Sequence, residues 1–206
     1  GFVAHGDLLL FASETLRERT DDPLVRSLLA NTVACVAAWD FDSAATLVAE
    51  DDQTIMAPTE VLRALAEERG WSADTPLDWR LGTASRNGIA HPARAAIEDP
   101  PIELERRLWS AQLAVLLPWI EERRHEVVAT NLYEVKRQMR TNGDGHGDPY
   151  DIEVGDLYVL FARRGGHRGI RKALGCLRDG RNELAHRRHM SHDRVLKLIA
   201  SPSAWS

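Results

Sequence analysis

The stretch ELERRLWSAQLAVLLPWIEE, residues 103–122, decides the fold class. Leu104, Leu108, Ala111, Val115 and Ile120 recur at helical spacing and line one face, with Pro118 an expected kink. A strand would need strict alternation of apolar and polar residues, and the chain has few such runs. Working outward, the same period predicts helices over Leu8–Arg19 and Pro23–Trp39, the latter with proline suited to a first helical turn. Further helices are expected over Ala44–Ala49, Thr59–Arg69, Val127–Met139 and Asp193–Ile199, the last capped by Ser191. The polar run 141–149 alternates Asp and Gly but lacks the spacing and closing Glu of a calcium site, so it reads as a plain loop. Asp99-Pro100-Pro101 stops a helix on both sides and divides the chain into 1–100 and 101–206. The expectation is an all-α protein in two halves of about 100 residues each.

Composition excludes several classes. With 206 residues, 44% hydrophobic and 28% charged, the chain has the profile of a globular protein and not of a disordered one. Two cysteines, Cys35 and Cys176, cannot build a disulfide framework, which points to a reducing, cytoplasmic compartment. No apolar run reaches the roughly 20 residues of a membrane span, so no membrane partner is expected. No start methionine, signal peptide or transit peptide is visible.

Charge is unevenly distributed. Residues 1–100 carry 8 basic and 17 acidic side chains, a net of −9, whereas residues 101–206 carry 18 and 14, a net of +4. Within 163–197, 11 Lys or Arg stand against 3 acidic residues. Such a local basic field concentrates a phosphate backbone even on a chain that is acidic overall, and Arg178, Arg187 and Arg188 are the expected RNA contacts.

An internal repeat carries the chemistry. Arg86-Asn87-Gly88-Ile89-Ala90-His91 and Arg181-Asn182-Glu183-Leu184-Ala185-His186 share Arg-Asn-x-aliphatic-Ala-His, 95 residues apart. The same offset pairs Leu62 with Leu157, Leu65 with Leu160, Arg69 with Arg164 and Gly70 with Gly165. A single copy arises by chance in roughly 1 in 300 chains of this composition, and two in one register far less often. On a helix, Asn182 and His186 share a face, while Arg181 lies about 140° from His186. Pro92 disfavours a continuous helix through the first copy and implies that this copy straddles a helix start. An Arg clamps a phosphate, a His moves a proton near neutral pH and an Asn orients either, a minimal set for phosphodiester chemistry without a metal.

These motifs resemble the HEPN superfamily (higher eukaryotes and prokaryotes nucleotide-binding), whose ribonuclease members carry Arg, four to six residues, then His. The resemblance implies tandem bundles of four or five helices, each with its motif near the last helix. It further implies metal-independent RNA cleavage, with two motifs meeting across a dimer or pseudo-dimer interface. Carried over, Arg86, Asn87 and His91 form one half-site and Arg181, Asn182 and His186 the other, with no cofactor and no metal. Members act as toxins, anti-phage effectors and CRISPR nucleases, so RNA, an antitoxin or sensor-domain partner and a homodimer are the implied partners. The rival expectation is a non-catalytic HEPN-type module that binds RNA or protein within a larger protein.

Other constellations are weaker. His186, His189 and His192 read as a solvated basic face and not as metal ligands, because no carboxylate or thiolate completes the set. Trp39, Trp71, Trp79, Trp109 and Trp119 are expected as core or interface anchors and not as base-stacking platforms.

Overall fold

Asp22 shows how local chemistry starts the helices: its carboxylate accepts hydrogen bonds from Leu24 N (2.8 Å) and Val25 N (3.2 Å), and Pro23 opens the first turn. In the computed structural model, which describes residues 3–142, 147–162 and 168–201, the elements are helical throughout. They are α1 (His5–Thr15), α2 (Pro23–Ala37), α3 (Phe41–Ala49), α4 (Asp52–Met56), α5 (Thr59–Glu68), α6 (Pro92–Ala96), α7 (Ile102–Thr130), α8 (Leu132–Asn142), α9 (Val154–Ala162), α10 (Arg168–Ala185) and α11 (His192–Ala200), with a 3-10 turn at Pro149–Asp151. Among the described residues the one β feature is a single bridge between Ala84 and Ala90. The protein is therefore all-α. No described helix is long and apolar enough to cross a membrane, and Cys35 and Cys176 are both free thiols.

The chain divides into two compact units. Unit 1 is Gly1–Val115 with Arg187–His192, and unit 2 is Leu116–His186 with Asp193–Ser206. The division falls inside α7, so that helix begins in one unit and ends in the other.

In unit 1, α2 is the central rod, with α1, α3 and α4 packed around it and α6 against α5. Leu8, Ala12, Leu16, Leu28, Leu29 and Val33 are at most 1% exposed. Each buried leucine contributes about 1.5–3 kcal/mol by leaving water. The first half of α7 joins this core through Leu104, Leu108 and Ala111. Gln112, also buried, holds the return segment: its amide accepts from Met190 N (2.6 Å) and donates to Met190 O (2.8 Å). That segment begins at Arg187, whose φ of +57° places a side chain in the left-handed region at the exit of α10.

In unit 2, α9 packs against α10, whose buried face is Ala173, Leu174, Leu177, Gly180 and Leu184. Gly180 lets α10 and Leu198 approach closely: a Cβ there would stand 2.9 Å from Leu198 Cδ2 and 3.2 Å from Cδ1, so the end of that side chain would have to move. The second half of α7 adds Leu116 and Ile120, both fully buried.

Most predicted helices are present with shifted ends. Val115 is half-buried, and Leu116 takes the core position expected of it. The helix assigned to 103–122 runs on through Pro118 to Thr130. The next helix begins at Leu132; Asn131 between them donates both its backbone N–H (3.1 Å) and its side-chain amide (2.9 Å) to Val127 O. Residues 143–146 of the polar run lie outside the described residues, as do Arg164 and Gly165 of the repeat.

Candidate functional site

The 95-residue repeat is visible as structure in its first part. Helix α5 begins at Thr59 and α9 at Val154, the same offset, and Leu62 and Leu157, like Ala66 and Phe161, are buried at equivalent positions. Beyond that the copies part. Residues 73–90 form an irregular loop, whereas their counterparts 168–185 are the helix α10.

Two residue differences in the motif account for its own divergence. Where the second copy has Glu183, the first has Gly88, whose φ of +77° places it in the left-handed position that closes a three-residue hairpin. Arg86-Asn87-Gly88 is the loop of that hairpin: Ser85 N donates to Ile89 O (2.8 Å), Gly88 N to Ser85 O (3.0 Å), and Ala84 bridges Ala90. Where the second copy has Arg187, the first has Pro92, which starts α6. The first copy does straddle a helix start, as Pro92 implies.

This geometry separates the polar groups of the first copy. Arg86 and Asn87 stand at the exposed hairpin tip, while His91 is completely buried as the N-cap of α6. Its Nδ1 accepts from Ala93 N at 3.1 Å, so that nitrogen carries no proton. Its Nε2 is therefore the protonated one and faces Asp40 Oδ2 at 3.1 Å. Arg69 Nη1 lies 3.0 Å from the same nitrogen and sets a positive charge beside the pair. Trp39 and Trp71 close the pocket edge-on, with ring centroids 5.5 and 4.9 Å from the imidazole. Both imidazole nitrogens are engaged, and the ring has no open path to a phosphate in this conformation.

Asp40 serves two helices at once. It caps α3 by accepting from Ser43 N (2.8 Å) and Ser43 Oγ (2.6 Å), and it anchors His91 at the head of α6. Burial pushes its carboxyl up, but hydrogen bonds from His91 and Ser43 outweigh burial and hold it well below the ordinary range. Asp40→Ala is expected to cost about 2–4 kcal/mol, a lost cap plus a stranded buried imidazole. Because the carboxyl is depressed in the folded state, its contribution is complete above the unfolded value near 4 and fades as pH falls through the folded one. Urea unfolding between pH 2 and pH 6 checks this: the Asp40→Asn variant should show a flatter acid limb than the wild type.

The second copy is arranged differently. Arg181 and Asn182 lie in the last turn of α10, and His186 follows it, with His186 N still bonded to Asn182 O (3.0 Å). Helical geometry is thus kept through the motif, and Asn182 and His186 share one exposed face. Arg181, on the flank, meets Glu153 Oε2 at 3.2 Å. Arg178 pairs with Asp179 (2.8 Å) and lies over the Tyr158 ring at 4.2 Å. Arg187 and Arg188, next in the chain, are exposed, and among the described residues no carboxylate pairs with either; Arg187 stands 6.0 Å from the Trp109 ring. The basic segment is therefore partly neutralised around Arg178 and Arg181 and cationic at 187–188.

Sequence reasoning missed a third feature. Trp79, expected as an anchor, is 51% exposed, with the guanidiniums of Arg86 and Arg80 at 5.2 and 5.6 Å from its ring. The signal was present in the neighbouring Pro76, Gly82 and Asn87-Gly88, which break any helix around it. Among the described residues, no three His, Cys, Asp or Glu side chains are grouped as metal ligands.

Comparison of the chain with family models, with curated proteins and with solved structures gives no significant match in any of the three. Fold and site together define an all-α protein with one exposed and one partly buried copy of an Arg-Asn-x3-His motif.

Proposed function

We propose that the protein is a metal-independent endoribonuclease of HEPN type, a toxin or defence effector, whose working half-site is Arg181, Asn182 and His186. The observation that carries this reading is the contrast between the two copies: the second presents Asn182 and His186 to solvent beside Arg181, and the first encloses His91. The second half of the composite site then comes from the same motif of another chain.

In this reading the RNA 2′-hydroxyl attacks the adjacent phosphorus, forming a 2′,3′-cyclic phosphate and releasing a 5′-hydroxyl. One His186 accepts the 2′-hydroxyl proton, and the other donates a proton to the departing 5′ oxygen. Arg181 leaves Glu153 for the phosphate and stabilises the charge growing on its oxygens. Asn182, one turn before His186, orients the imidazole or the phosphate. With the nucleophile supplied by the substrate, DNA is not cut.

The test is digestion of end-labelled RNA and DNA with and without EDTA. EDTA-resistant cleavage of RNA alone, ending in cyclic phosphate, supports the assignment. An inert protein that binds RNA or a partner tightly supports the non-catalytic module, which the structural use of His91 favours. Replacing Arg187 and Arg188 with Gln should weaken RNA binding across sequences and flatten the log–log salt dependence by about 0.7 for each lost phosphate contact. An unchanged slope places the RNA elsewhere.

A further inference from the structure

A cavity of about 610 Å³ lies within unit 1, lined by Leu77 and Ile89 of the loop 73–90, Cys35 and Ala38 at the end of α2, Glu98 after α6 and Ser110 on α7. A volume of this order suits a drug-sized ligand. We infer that this cavity binds a small organic cation, an alkyl- or arylamine whose ammonium meets Glu98 and whose apolar body lies against Leu77 and Ile89. The inference goes beyond the cleavage reading and uses none of its three residues.

The polar groups already committed elsewhere narrow the ligand class. Arg106 and Arg107 also line the cavity, but both are paired to Glu103: Arg106 through Nε (2.8 Å) and Nη2 (2.7 Å), Arg107 through Nε (3.0 Å). Arg107 gives its other two nitrogens to Val36 O and Ala90 O. Glu98 is the exception. Among the described residues its one hydrogen-bond partner is Arg94 Nη1 at 3.5 Å, the outer limit of such a bond. Arg94 spends Nε and Nη2 on Thr75 O and Ala73 O instead, both at 2.9 Å. A carboxylate held so weakly keeps most of its acceptor capacity, and a cationic donor is its strongest complement. The Nη1 that Arg106 keeps would by itself suit an anion. The net of −9 over residues 1–100 opposes an anion and draws in a cation.

The rest of the lining suits an apolar body. Leu77 is 50% and Ile89 41% exposed, so both have surface to bury against a ligand. Cys35 extends that wall: burial raises its thiol pKa against the pull of Arg107 and Arg106, and it stays an uncharged, polarisable side chain at neutral pH. The Ser110 hydroxyl, without a partner among the described residues, adds one donor and acceptor.

The wall at Ala38 is strained. Its φ of +59° and ψ of −69° form a γ-turn, closed by Trp39 N donating to Ala37 O (2.7 Å). Such backbone persists only where its surroundings over-determine it, and it gathers at binding sites. Here Trp39 Nε1 donates to Ile89 O (3.1 Å) and ties the turn to the loop across from it. Walls fixed to each other before a ligand arrives lose little entropy on binding.

Calorimetric titration of the whole chain with butylamine, phenethylamine, phenylethanol, phenylacetate and phenylalanine at neutral pH tests this. Methanethiosulfonate labelling of the two cysteines, read by peptide mass mapping, locates the site. Saturable binding of at least one amine is expected, with the alcohol and the acid about tenfold weaker or worse. Glu98→Gln should weaken the amine about ten- to a hundredfold and leave the alcohol unchanged. Leu77→Ala, on an exposed side chain, should weaken both. Bound amine should slow labelling of Cys35 and not of Cys176, which serves as the internal control. His186→Ala should bind normally, so this inference and the cleavage reading fail separately. Four results overturn it: no binding of either amine at millimolar concentration, tighter binding of the acid or of phenylalanine, unchanged labelling of Cys35, or undiminished binding by a Glu98→Gln protein that melts like the wild type.

Discussion

His186→Ala is expected to lower RNA cleavage by about 100- to 10,000-fold, the range a positioned proton-transfer group contributes. It should do so without changing the melting temperature, because the imidazole is exposed at the end of α10 and packs into no core. Single-turnover cleavage of a labelled RNA gives the rate, and thermal unfolding of the same samples gives the control. The matched His91→Ala variant should behave in the opposite way, losing stability while its folded fraction cleaves normally. Full activity in His186→Ala removes the ribonuclease assignment. A folded but inactive His91→Ala would restore the arrangement in which both motifs of one chain form the site.

The second large effect is on folding and centres on Arg107. This guanidinium is 4% exposed in its side chain, yet it satisfies three acceptors from distant parts of unit 1. It donates to Val36 O (3.1 Å) at the end of α2, to Ala90 O (2.7 Å) beside His91, and to Glu103 Oε1 (3.0 Å) one turn earlier in α7. Burial lowers its pKa and Glu103 opposes the shift. Removing it strands two buried carbonyls, while Glu103 keeps its two hydrogen bonds from Arg106, so Arg107→Ala should cost about 2–5 kcal/mol. Arg107→Lys should recover little, since one ammonium cannot reach three acceptors held in a fork. Urea denaturation of the three proteins decides this: a shift below about 1 kcal/mol for the alanine variant means that water replaces the guanidinium at no loss.

Why the sequence revealed some of this and not the rest is a matter of range. Local periodicity placed α2, α5 and α7 because their buried faces repeat within one turn, and Pro92 marked the helix start at the first motif for the same local reason. The register of the repeat was legible to the residue, since α5 and α9 start 95 positions apart. The fate of His91 was not. Its partners Asp40 and Arg69 lie far off in the chain, and nothing local distinguishes an imidazole awaiting a substrate from one capping a helix. Likewise, the tryptophans read alike from composition, and only the surrounding turn residues separate Trp79 from the rest. The Gln112 clamp on Met190, 78 residues away, has no sequence signature at all.

Arg187 has a consequence at the level of genetics. Its backbone sits where glycine is at ease and arginine costs about 1 kcal/mol. Arginine codons of the commonest box become glycine codons by one base change, so random mutagenesis samples the relief constantly. A library of this chain sorted for thermal tolerance would therefore enrich glycine at 187 early. The same clones would have discarded a positive charge directly after His186. Sorting for durability and sorting for capture of a polyanion would pull this codon in opposite directions.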